Sequence, residues 1–101
     1  DLRRDFEVQH CRYNFEKSDP DLQRLLFDRY EAEAKRLTQQ GLVYPGYDFV
    51  LKASHAFNLL DARGVLSQTE RQGYGQRVRR LAEASATGYL EMHDDGAEEA
   101  A

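Results

Sequence analysis

Residues 49–60 constrain this chain more than any other stretch. On a helix turning 100° per residue, Phe49, Val50, Ala53, Ala56, Phe57 and Leu60 cover a broad apolar arc, and Leu51 and Leu59 fall outside it. A helix that is apolar on more than one side has to be surrounded by other elements, so this one is predicted to be central. Ser54, Asn58 and Asp61 lie within about 60° of one another on the same wheel, bordered by Leu51. That polar seam is expected to face another element or a partner rather than bulk water.

The punctuation on either side supplies companion helices. Tyr44-Pro45-Gly46 reads as a linker, so the central helix is predicted over 46–62, with Gly64 ending it and Arg63 set against its C-terminal dipole. Upstream, Ser18-Asp19-Pro20 is a helix start, with Ser18 or Asp19 as cap and Pro20 in the first turn, where its missing N–H does no harm. That helix should run over 20–40 and stop at Gly41. Leu22, Leu26, Tyr30 and Leu37 fall within about 80° of one another, and Phe27 and Ala34 widen the stripe. Downstream, Ser67-Gln68-Thr69-Glu70 is a capping box opening a helix over 68–91 that buries Tyr74, Val78, Leu81, Ser85 and Tyr89. Gly73 and Gly75 each cost it roughly 1 kcal/mol relative to Ala, so its first turns are expected to fray. In residues 1–18, Phe6, Val8, Cys11, Tyr13 and Phe15 fit neither a helical nor a strand period, which predicts a short helix or an extended arm. The expected fold is all-α: an antiparallel bundle of three main helices over 19–91, an N-terminal arm or short helix over 1–18, and an acidic disordered tail over 92–101.

Composition narrows the function classes. The 101 residues carry 14 Lys and Arg against 18 Asp and Glu, a formal charge of −4. Five of those acids, Glu91, Asp94, Asp95, Glu98 and Glu99, sit in the last eleven residues, so the body is nearly neutral. Folding should reduce about 17,000 Å² of surface to about 6,000 Å², enough for a small core and too little for a deep cofactor cleft. The longest apolar runs are only a few residues, which excludes a membrane span, and no signal pattern follows Asp1. A single Cys11 and three His are poor material for a disulfide or a zinc site. The expectation is a soluble, cytoplasmic chain.

No self-contained active site assembles from these residues. His55 and Asp61 point about 120° apart, which fails a metal reading, and Ser54 is the immediate neighbour of His55 and cannot face it as a nucleophile would. Arg71, Arg77, Arg79 and Arg80 point near 0°, 240°, 80° and 180°, so they form no phosphate-tracking stripe and read as a solvated face. Cys11 beside Arg12 is adjacent in sequence only. Gly73 and Gly75 lie in a helical pattern and make no phosphate-cradling loop. No catalytic, cofactor-binding or metal residue is therefore predicted. The singled-out residues are Ser54, Asn58, Asp61 and Arg63 as an interface or polar seam, and Ser67 with Glu70 as a helix cap.

One stretch is far more specific. Tyr47-Asp48-Phe49-Val50-Leu51-Lys52-Ala53-Ser54-His55-Ala56-Phe57-Asn58-Leu59-Leu60-Asp61-Ala62-Arg63-Gly64, followed by Ser67-Gln68-Thr69-Glu70-Arg71-Gln72-Gly73-Tyr74, resembles the alpha subunit of the bacterial two-subunit glycyl-tRNA synthetase. Tyr13-Asn14-Phe15-Glu16 and Tyr30-Glu31-Ala32-Glu33-Ala34 are similar to the same subunit in the same order, and the likeness covers roughly 6–90. The family usually carries larger residues where Gly73 and Gly75 stand, and a different, apolar C-terminal end.

The resemblance is to the C-terminal helical region of a class II glycine–tRNA ligase, without the three signature motifs that precede it in the family. It implies that the parent protein uses ATP and magnesium to join glycine to tRNA-Gly, as one subunit of a heterotetramer. The 101 residues alone would be non-catalytic. The implied partners are the beta subunit and the chain's own catalytic domain, with tRNA-Gly met through the holoenzyme and no membrane. The alternative is a stand-alone all-α interaction module without ligase activity.

Overall fold

The computed structural model describes the backbone of residues 1–100 and the side chains of residues 1–93. It is all-α, with no strand among the described residues. Helix α1 (Leu2–Arg12) runs into a π-helical segment (Tyr13–Lys17), and α2 (Pro20–Gln39), α3 (Val43–Ala62) and α4 (Gln68–Ala100) follow. Each start and stop has a local cause. Asp19 Oδ1 accepts from the N–H groups of Asp21 and Leu22, capping α2, and Pro20 sits in its first turn. At the other end Gly41 takes φ +81°, its N–H donates to Thr38 O and the Leu42 N–H donates to Leu37 O. This pair of bonds closes the last turn of the helix and turns the chain back on itself. Gly64, at φ +69°, ends α3 in a similar way with its N–H on Asp61 O.

The three long helices form the core. Phe27 and Ala34 from α2, Val50, Ala53 and Ala56 from α3, and Leu81 from α4 are buried together, with Tyr30, Phe49, Phe57, Tyr74 and Val78 packed around them. The Phe27 and Tyr74 rings meet edge to face at 4.8 Å, and Phe57 stacks on Tyr74 at 6.0 Å. Helix α3 is central, as its apolar breadth requires: Leu59 and Leu60 are buried along with its inner arc, while Leu51 stays exposed.

Several boundaries and faces differ from expectation. Tyr44-Pro45-Gly46 is no linker, because α3 begins at Val43 and holds all three in its first turn. Pro45 falls where a helix needs no backbone donor. A methyl group on Gly46 would lie 2.7 Å from Thr38 Oγ1, so this glycine permits the close approach of α2 and α3. On α2 the stripe is rotated: Gln23 is buried, at 4%, and Leu22 is exposed, because the Gln23 Nε2 donates to the Tyr13 hydroxyl at 3.3 Å. Tyr89, expected inside, is exposed. Helix α4 passes through Gly73 and Gly75 without a break and continues beyond residue 91 to Ala100. Of the acidic tail expected over 92–101, the side chains from Asp94 onward and Ala101 lie outside the described residues.

The N-terminal segment stands apart. Helix α1 has an Asp1 cap, whose Oδ1 accepts from the Arg4 N–H, yet it buries none of its residues. The chain exposes 7275 Å², against about 6,000 Å² for a compact monomer of its size, and α1 contributes to that excess.

Candidate interface surfaces

The singled-out polar residues do not converge on one point. Ser54 is half-buried and Asn58 exposed on α3, and Asp61 Oδ1 pairs with Arg71 Nε of α4 at 2.8 Å. Arg63 turns the other way. Its Nε donates to Ser18 O at 3.0 Å and its Nη1 reaches Phe15 O at 3.5 Å. It therefore serves carbonyls at the end of the N-terminal helical segment, whereas the sequence placed it against the dipole of its own helix.

At the head of α4, the Glu70 N–H donates to Ser67 Oγ at 3.1 Å and the Ser67 N–H donates to Glu70 Oε1 at 3.3 Å. The same carboxylate receives Arg24 Nη1 from α2 at 2.7 Å. The Arg24 bond, followed by the Ser67 N–H, holds the Glu70 carboxyl below the usual carboxylate range.

Two arginines expected on a solvated face instead tie helices together: Arg71, through Asp61, and Arg77. Arg77 sends Nε and Nη2 to the two carboxylate oxygens of Glu31 at 2.9 and 2.7 Å, and Nη2 also reaches Asp28 at 2.8 Å. Its guanidinium lies over the Phe27 ring at 4.6 Å. The bond from Arg77 holds Glu31 below the ordinary carboxylate value, against the opposing effect of burial. The residue types carried a signal for this pairing: Asp28 and Glu31 are three apart on one face of α2, so one arginine can reach both.

Two of the concave surfaces among the described residues lie apart from these ion pairs. An apolar groove of about 410 Å³ runs between the start of α3 and the later turns of α4, lined by Val43, Tyr44, Tyr47, Ala86, Tyr89 and Leu90 among others. The Ser85 hydroxyl, among its lining groups, is buried without a hydrogen-bond partner among the described residues. A second, more polar crevice of about 630 Å³ lies between α1 and α3, edged by Phe6, Gln9, His10, Tyr13, Asn14 and His55. The local sequence does not reveal the groove, because Tyr44-Pro45-Gly46 has the look of a linker and Tyr89 falls on the apolar stripe of α4.

The matches to known proteins decide what kind of chain carries these surfaces. A family model described as the glycyl-tRNA synthetase alpha subunit matches residues 1–94. The chain belongs to that family. A glycyl-tRNA synthetase alpha subunit implies glycine–tRNA ligase chemistry with ATP and magnesium, and a beta-subunit partner in a heterotetramer. Among the described residues no group of three or more His, Cys, Asp or Glu is placed to hold a metal ion, and Gly73 and Gly75 are locked in a helix. Among the described residues no helix is long and apolar enough to cross a membrane.

Proposed function

We propose that the chain is the C-terminal helical part of a cytoplasmic glycine–tRNA ligase alpha subunit, serving ATP-dependent glycylation of tRNA-Gly as a packing platform rather than as the catalytic core. The uncovered groove walled by Val43, Tyr44, Tyr47, Tyr89 and Leu90 carries this reading. An apolar concavity beside exposed tyrosines is the surface type that another protein element covers. Ser54 and Asn58, further along the same central helix, offer a separate polar contact, next to the Asp61–Arg71 pair. The element that covers them is the beta subunit or the subunit's own catalytic domain, and tRNA-Gly is met through the assembled enzyme.

The test uses the full alpha subunit co-expressed with the beta subunit, carrying either Tyr47→Glu with Tyr89→Glu or Asn58→Ala with Asp61→Ala. Charging a covered aromatic should weaken assembly by about tenfold or more, since such anchors carry over 1.4 kcal/mol each. Aminoacylation should fall with it. Unchanged assembly, melting temperature and aminoacylation in both variants would sink the proposal.

A second reading, a stand-alone interaction module, is favoured by the closed core of α2, α3 and α4, in which Phe27, Ala53 and Leu60 are fully buried. Thermal unfolding of the 101-residue chain separates the two. A cooperative monomeric melt supports the self-sufficient module, and a self-associating chain supports the platform.

A further inference from the structure

The joint between α1 and the bundle is held by very little. Helix α1 buries no side chain, and the π-helical segment after it packs mainly against α1 and α3, with one hydrogen bond to α2. Within that segment the Ser18 N–H donates to Tyr13 O at 2.7 Å, a bond spanning five residues. Continuing the same pattern, Phe15 O would need the N–H of residue 20, which is Pro20 and has none. Ser18 is extended, with ψ 143°, so the helix ends there and leaves carbonyls without intrahelical donors. Ser18 is also 1% exposed, so water cannot readily replace the donor at its own carbonyl, whereas Phe15 is exposed.

Arg63 supplies them from the end of α3, with Nε on Ser18 O and Nη1 on Phe15 O. A guanidinium carries its donors in a rigid fork, so two fixed carbonyls fix the orientation of the backbone that bears them. A positive charge at a helix C-terminus is favourable as well. The other tie, Gln23 Nε2 to the Tyr13 hydroxyl at 3.3 Å, is a single neutral bond.

We propose that Arg63 is a latch that fixes the direction in which α1 leaves the bundle. It is a positioning residue, and the inference stands independently of the ligase reading. With Arg63 in place the π-helical segment is a rigid elbow. Without it, α1 swings about residues 17–19 while α2, α3 and α4 keep their packing.

The chain's single cysteine makes this measurable, because Cys11 is exposed on α1. The full chain carrying Gln76→Cys, an exposed position of α4, takes nitroxide labels at both cysteines, and double electron–electron resonance reads the distance distribution between them. A narrow distribution is expected with Arg63. Arg63→Ala should broaden and shift it at unchanged helical circular dichroism, with Arg63→Lys in between. An unaltered distribution in Arg63→Ala would overturn the latch. Hydrogen exchange on the unsubstituted chain tests the same point even if that variant fails to fold. The Ser18 amide should exchange more slowly than the amides of α1, which belong to an 11-residue helix without packing. Equal rates would also overturn it.

Discussion

Replacing Arg77 by Met keeps most of the stem and removes the charge, which isolates what the guanidinium contributes. Its two bonds to Glu31 are partly shielded, with the side chains 34% and 15% exposed. At that burial a bidentate pair contributes about 1–2 kcal/mol, between the exposed and the buried limits. The contact to Asp28, which is 61% exposed, adds only about 0.3 kcal/mol. Its place over Phe27 adds about 0.5–1 kcal/mol. Arg77→Met is therefore expected to lose about 2–3 kcal/mol, or about 8–20 °C in melting temperature for a domain of this size.

The pH dependence separates the charge from the packing. Arg77 holds the Glu31 carboxyl below its ordinary value, so the pair stabilises the fold fully above the unfolded carboxylate value of about 4.3. That stabilisation disappears as pH falls through the lower folded value. Urea unfolding of both chains should thus show a constant gap between about pH 8 and pH 5 that narrows as pH falls below the unfolded carboxylate value. A loss under about 0.5 kcal/mol at neutral pH, within the range of ordinary surface changes, would refute the assignment. So would an equal loss at both pH limits.

The glycines divide by what surrounds them. Nothing lies within 4 Å of a methyl group placed on Gly73 or Gly75, so changing either to Ala should raise stability by about 0.5–1 kcal/mol through helix propensity. Gly46→Ala should lower it by about 1–3 kcal/mol, because the methyl group meets Thr38 Oγ1 at 2.7 Å. Thermal or denaturant unfolding of the three variants checks the order, and a stabilising Gly46→Ala would contradict the close approach of α2 and α3.

Features written in a few consecutive residues were legible in the sequence, and features made between helices were not. The Asp19 cap, the Gly41 and Gly64 stops and the Ser67–Glu70 exchange are satisfied by neighbours, so residue type and spacing suffice. Gly46 has the look of a breaker, yet its role is to admit α2, which no local rule can show. Gln23 is buried because the Tyr13 hydroxyl reaches it from another segment, a contact that helical periodicity cannot anticipate. The wheel angles of the α4 arginines show that they share no face, but they carry no information on Arg71 and Arg77 each meeting a different helix. The polar seam was legible only as a set of residues on one helix. Where its members point depends on α4 and on the π-helical segment, and Arg63 shows how far that can differ from the wheel.

The tight reversal at Gly41 also bears on how the chain reaches its folded state. Helices α2 and α3 are separated by only a few residues and share the largest packed surface, so closing that hairpin costs little chain entropy. Helix α4 is bound back across longer separations, with Arg24–Glu70 and Arg77–Asp28 spanning 46 and 49 residues. A molecule built this way belongs among fast folders, with the α2–α3 hairpin formed at the rate-limiting barrier and α4 docking afterwards. Substitutions at Ala53 should then slow folding, and substitutions at Leu81 should mainly speed unfolding in stopped-flow kinetics; the reverse pattern would place α4 in the nucleus.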